Sequence, residues 1–285
     1  MYPIQTGIST NVFGDPAEIA TLVRRLSKAF SVIEIVLEHS ARRLFDERRS
    51  LWPTQRRELL DLKQEHGLTY VMHAPYLGPY TELAHGTKAV RRASVAYLSR
   101  CLDEAFLLGI RLVTIRQRAL ERGAYGIEHR SFDALASSLE ILRMHATALD
   151  IELSLEWGAR DDPADPSLSE AQKRLLHDEI GIGATLNIMD NHALDPDFDE
   201  HQYCRNILQS LPYVQHVHFS DLQDTHLLQL LLGRRQFVYM DLVTALRHSG
   251  YRGHFVIEEG RRDFVRPCDL NQGRSSVKRP AAEVM

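Results

Sequence analysis

Cysteine is scarce in this chain of 285 residues: Cys101, Cys204 and Cys268 are odd in number and far apart. Neither a disulfide framework nor a Cys-x-x-Cys metal site is indicated. No apolar run approaches the roughly 20 residues that span a bilayer. The opening Met1-Tyr2-Pro3-Ile4-Gln5 lacks the basic and apolar regions of a secretion signal. A cytoplasmic protein without membrane association is therefore expected. An excess of one charge is missing too, since 34 Lys and Arg against 38 Asp and Glu leave a net charge of −4. That balance offers no overall attraction to nucleic acid, although a local basic patch is compatible with it. The first strand-like segment runs into Gly7-Ile8-Ser9-Thr10-Asn11-Val12-Phe13-Gly14, with no glycine-rich phosphate loop. This weakens a dinucleotide-binding reading.

What is present is a regular alternation. Strand-like stretches fall at 5–10, 31–37, 68–73, 110–116, 150–156, 183–188, 213–219 and 253–258. Helical patterns lie between them at 16–30, 53–66, 86–108, 131–148, 167–178, 199–211 and 238–249. Pro16 and Pro53 sit at first helical turns, and Gly67, Gly109 and Gly250 stand where helices should stop. Eight strands with intervening helices in a chain of this length predict a single α/β domain, a (β/α)8 TIM barrel over 1–260. A doubly wound open sheet is the alternative, because counting elements does not show closure. Residues 261–285 carry six Arg or Lys against three Asp or Glu. They are expected to follow a short or absent eighth helix as a mobile, partly disordered basic extension.

Five short segments end in residue types that bind divalent metals. They are Val71-Met72-His73, Leu153-Ser154-Leu155-Glu156, His216-Val217-His218, Asp224-Thr225-His226 and Val256-Ile257-Glu258. A charged or imidazole group at the end of a buried strand is costly unless something compensates it. Strand parity separates the faces. Ile151, Leu153 and Leu155 share the side that helices cover, which turns Glu156 into the barrel mouth. The same parity turns His216, His218 and Glu258 inward, with His216 one layer deeper. Glu156, His218 and Glu258 thus meet at the C-terminal rim, where barrel active sites lie. Carboxylate and imidazole ligands suit Mn, Mg, Co, Fe or Zn without choosing among them. Taken singly, each of these residues reads as readily as a cap, a salt-bridge member or a packed side chain.

His73-Ala74-Pro75-Tyr76, Leu155-Glu156-Trp157-Gly158, His216-Val217-His218-Phe219-Ser220-Asp221, Asp224-Thr225-His226-Leu227 and Gly253-His254-Phe255-Val256-Ile257-Glu258-Glu259-Gly260 carry a resemblance. Up to about residue 260, the chain resembles the xylose-isomerase-like barrels. These include sugar isomerases, ketose 3-epimerases, dehydratases and the endonuclease IV group of DNA-repair nucleases. The resemblance implies metal ligands at Glu156, His218 and Glu258. The fourth ligand comes from a strand-six Asp-x-x-His, and here the region reads Asn187-Ile188-Met189-Asp190-Asn191-His192. A gapless match puts Asn187 at the ligand position; a one-residue slip gives Asp190 and His192 those parts. Asn is a poor, neutral ligand, so Asp190 is the expected contributor and His192 a substrate contact. Endonuclease-like members use further metal ligands, which His73, Asp224 and His226 match. Their strand-four His is absent, and Arg116 stands about there. Arg116 reads either as a fork for a substrate carboxylate or phosphate or as half of a salt bridge with a neighbour such as Glu156. Tyr76 and Glu34 complete the expected mouth, Tyr76 against substrate and Glu34 orienting His73 or capping a layer.

The leading expectation is a divalent-metal-dependent isomerase or epimerase of a small sugar-like or keto-hydroxy substrate. Glu156 and Glu258 would remove and return a proton through an enediolate-like intermediate. His73, Tyr76, Arg116, His192 and His226 would bind the substrate. A dehydratase, a DNA-repair phosphodiesterase and a barrel with an altered, non-catalytic centre are the rivals. Arg116, Asn187 and the acidic balance oppose the nuclease. The oligomeric state is open, and a homo-oligomer is compatible with the composition.

Overall fold

The computed structural model describes residues 5–10, 19–37, 53–75, 81–116, 131–158, 168–189, 211–220 and 250–258, with Thr244, Leu246 and His248 of a further helix. Its strands are β1 (Gln5–Ser9), β2 (Val32–Val36), β3 (Thr69–His73), β4 (Leu112–Arg116), β5 (Glu152–Gly158), β6 (Gly183–Met189), β7 (Val214–Ser220) and β8 (His254–Ile257). Each pairs in parallel with its sequence neighbours, and β8 pairs with β1, so the sheet is a closed barrel. Closure removes the doubly wound alternative. Among the described residues no helix is long and apolar enough to cross a membrane.

The described helices are α1 (Ile19–Leu26), α2 (Pro53–His66), α3 (Lys88–Leu107), α4 (Phe132–Ala148) and α5 (Glu170–Arg174). Helix α2 opens on Pro53 as expected, and Ser131 caps α4 by accepting from the Ala134 N–H. Gly67, Gly109 and Gly250 take φ of +60°, +62° and +77°, the left-handed conformation that ends a helix. The helical pattern at 167–178 is only partly regular. Helix α5 begins at a capping box of Ser169 and Gln172, then widens into a π-helix over Leu175–Ile180. The expected helix 199–211 lies largely outside the described residues, as do 261–285.

Two apolar clusters follow from strand parity. Leu153, Leu155, Leu186 and Val217 face outward and pack with Leu98, Leu102, Leu135, Leu139 and Leu142 of α3 and α4 in the main core. Val32, Val71, Leu112 and Val256 form a separate cluster. They share parity with Glu34, His73, Thr114 and Glu258, and so fill the barrel interior below the polar positions. Alternation fails once. The register between β6 and β7 shifts at Ala184/Thr185, pairing Ala184 with Val214 and Thr185 with His216. This bulge puts Val214 in the main core while His216 and His218 stay inward.

One ion pair ties α2 to α3. Arg56 donates from Nε and Nη2 to the two carboxylate oxygens of Glu104 at 2.7 and 2.9 Å, and Glu104 is buried. Removing Arg56 strands a buried carboxylate. Arg56→Ala is expected to lower stability by about 2–4 kcal/mol in chemical denaturation, with Glu104→Leu in the same background recovering much of it.

Candidate metal centre

At the carboxyl end of the barrel the inward positions turn polar. His73, Asn187, His218, Glu156 and Glu258 are all buried there, within 8 % exposure, although two of them are acids. Strand register explains their meeting: Arg116 pairs with Glu156, Asn187 with His218, and His218 with Val256, two residues before Glu258.

Glu156 is held from several sides. His73 Nε2 donates to its Oε2 at 3.0 Å, Asn187 Nδ2 donates to its Oε1, and Arg116 Nη1 lies 3.9 Å from Oε1. Burial alone would raise the carboxyl, but the His73 hydrogen bond and the Arg116 charge hold it well below the usual carboxylate range. His73 also donates from Nδ1 to the Ala74 carbonyl at 2.6 Å. Acceptors face both nitrogens, and despite burial the Glu156 carboxylate raises its pKa. Arg116 thus lies at ion-pair distance from Glu156, with 40 % of its side chain exposed, which leaves both its fork and its salt-bridge readings open.

Glu258 is different. Its Oε2 lies 3.6 Å from His218 Nδ1, and among the described residues it accepts no hydrogen bond. Burial raises its pKa against the opposing pull of His218. His218 is flanked by His73, stacked at 5.5 Å between centroids, and by His216 edge-on at 4.8 Å. Burial works against the His218 imidazolium, yet Glu34 and Glu258 carry its pKa up to about 10.

Glu34 departs from expectation. The sequence places it at the mouth, orienting His73 or capping a layer; in the structure it is fully buried, with its Oε2 2.7 Å from His218 Nε2 and 3.4 Å from His216 Nε2. His216 lies deeper, as anticipated, where burial drops its pKa to about 4. Beside it Thr185 Oγ1 joins Thr114 Oγ1 at 2.8 Å and Ser154 Oγ at 2.7 Å. Sequence reading passed over these three hydroxyls, since inward Ser and Thr in a strand carry no signal of their own.

The donor set suits a divalent cation. His73, His218 and Glu258 each bring one nitrogen or oxygen within 4.8 Å of the others'. Among the described residues, buried His218 Nδ1 and Asn187 Oδ1 have no hydrogen-bond partner. Three carboxylates, Glu34, Glu156 and Glu258, are buried around these atoms, and hard oxygen with imidazole nitrogen is a donor set that divalent cations accept. Asn187 occupies the inward strand-six position beside Glu156, while Asp190 and His192 lie outside the described residues, with Tyr76, Asp224 and His226.

The architecture is a closed parallel barrel with carboxylates and imidazoles converging at its C-terminal rim, and comparison supplies the family. The chain belongs to the xylose isomerase-like TIM barrel family, whose profile matches residues 23–279. No curated protein sequence matches it significantly. The fold is similar to a D-psicose 3-epimerase from Clostridium cellulolyticum H10, solved with D-tagatose, at 15 % identity and TM-score 0.72, covering 96 % of this chain and 97 % of that one. A D-tagatose 3-epimerase-like protein aligns at 19 % identity and TM-score 0.69, covering 96 % of each. An AP endonuclease, family 2, from Brucella melitensis aligns at 14 % identity and TM-score 0.59, covering 91 % and 94 %.

The Thr185 hydroxyl is the hub of the polar layer beneath the centre. Thr185→Val leaves Thr114 and Ser154 without it and is expected to cost about 1–3 kcal/mol in urea unfolding.

Proposed function

We propose that the chain is a divalent-metal-dependent isomerase or epimerase acting on a small keto-hydroxy, sugar-like substrate. The observation that carries this reading is the convergence of His73, His218 and Glu258 within 4.8 Å in a buried, carboxylate-rich rim. Glu156, Glu258 and His218 would hold the ion, with Asn187 or Asp190 completing the set. When bound, such an ion supplies Lewis-acid polarisation of a substrate carbonyl.

The residues of the chain do the rest. Glu156 and Glu258 stand on β5 and β8, across the barrel mouth from each other. One removes a proton from the carbon beside the carbonyl and the other returns one to the opposite face, which inverts that centre. His73, holding Glu156 at 3.0 Å, fixes the direction in which that carboxylate acts. Arg116, partly open at the mouth, binds a polar or anionic substrate group. Tyr76, His192 and His226 are proposed as further substrate contacts.

With Mn2+ and D2O, D-psicose or D-tagatose is expected to gain solvent deuterium at the carbon that epimerises, read by mass spectrometry and NMR. Glu156→Gln and Glu258→Gln should each slow this by about 10²–10⁴-fold. Wild-type turnover in both variants, with metal retained, would sink the assignment. Loss of water from the substrate would indicate a dehydratase instead.

A second reading, a metal-dependent DNA-repair phosphodiesterase, is favoured by His73 lying beside His218 and Glu258 and by the endonuclease-like neighbour. Asp224 and His226 would be its additional ligands. Elemental analysis of protein purified without chelators decides between the two: one ion per chain is expected, and three with incision of an abasic-site duplex would favour the nuclease.

A further inference from the structure

The carboxylate that no substrate can reach is the least explained group of the centre. Glu34 is 0 % exposed, lies on β2 beneath the rim, and meets no Lys or Arg among the described residues. Its Oε2 contacts only imidazoles there, His218 Nε2 at 2.7 Å and His216 Nε2 at 3.4 Å. On the far side of the same ring, His218 Nδ1 has no hydrogen-bond partner among the described residues and faces Glu258 Oε2 at 3.6 Å. The ring is fixed between His73 and His216.

We propose that Glu34 is a positioning residue of the metal centre, which holds His218 in the tautomer protonated at Nε2 and so presents the Nδ1 lone pair to a divalent ion. The inference rests on the metal-dependent reading above and extends it one layer inward. An imidazole has two nitrogens, and only the one without a proton coordinates. A carboxylate at 2.7 Å from Nε2 accepts a hydrogen bond from a proton kept on that nitrogen, which leaves Nδ1 as the ligand atom. The carboxylate also strengthens the imidazole as a donor, the effect by which acids behind metal-bound histidines tune affinity. Its buried charge in turn needs a positive partner. An ion on the other side of His218 provides one through the ring. If Glu34 served only to fill space, a neutral group of the same shape would serve as well.

Glu34→Gln is that group. Wild type and E34Q are compared for fold by circular dichroism and thermal midpoint, then titrated with Co2+ followed by visible absorption. The expected result is a folded E34Q that binds Co2+ about 10–100-fold more weakly, with an altered absorption band. A folded E34Q with wild-type affinity and spectrum overturns the proposal and leaves the metal reading standing. A wild type that takes up no Co2+ overturns both. The wild type also gives a test that needs no variant. In the Zn2+-loaded protein, two-bond 1H–15N spectra should show His218 protonated at Nε2, and a proton on Nδ1 would overturn the assignment even if E34Q does not fold.

Discussion

Pairing of β8 with both β7 and β1 closes the sheet, and the site exists only because of that closure. It brings Val256 alongside His218, and with it Glu258 to within 3.6 Å of the imidazole. It also puts β2 inside reach of β7, so that Glu34 bonds a residue 184 positions away. An open sheet would leave β1 and β8 as edges and Glu34 in a different environment from His218. The apolar cluster of Val32, Val71, Leu112 and Val256 fills the same interior beneath. Closure therefore decides both what is dry and where the acids must find partners.

Inside such a barrel an acid is tolerated only with compensation. Among the described residues the chain meets this requirement with imidazoles, not with Lys or Arg, except for Arg116 at the rim. His73 answers Glu156, His218 answers Glu34 and Glu258, and neutral His216 sits below with a depressed pKa. Imidazoles differ from guanidinium groups in one useful respect, because they can give up a proton to a cation that replaces it.

Much of this was legible from residue order. Alternation of apolar and polar residues in 150–156 read correctly as an outward apolar face and an inward Glu156, because helices cover every strand of a parallel barrel. Helix ends were legible at Pro53, Gly67 and Gly109, where backbone chemistry is local. What parity could not supply was height. Glu34 shares the inward face of β2, but its level relative to His73 and His218 depends on register around the barrel. The bulge at Ala184/Thr185 and the π-turn at Leu175–Ile180 likewise answer to packing rather than pattern. The choice between Asn187 and Asp190 turned on side-chain chemistry, whereas β6 pairing sets Asn187 beside His218 and Glu156.

Asn187 makes the two rim carboxylates unequal. An Asp there would face Glu156 with a second negative charge; the amide instead donates to Oε1 while His73 occupies Oε2. Both oxygens of Glu156 are thus committed, and its orientation is fixed by neighbours on β3 and β6. Glu258 accepts no such bond among the described residues, although His218 Nδ1 stands 3.6 Å from its Oε2 and His73 lies within 4.8 Å. A carboxylate with two donors keeps its charge and direction, whereas one without a hydrogen bond can turn and change partners. Chemistry that needs one fixed and one adaptable acid finds both here, and the neutral residue on β6 is part of what separates them.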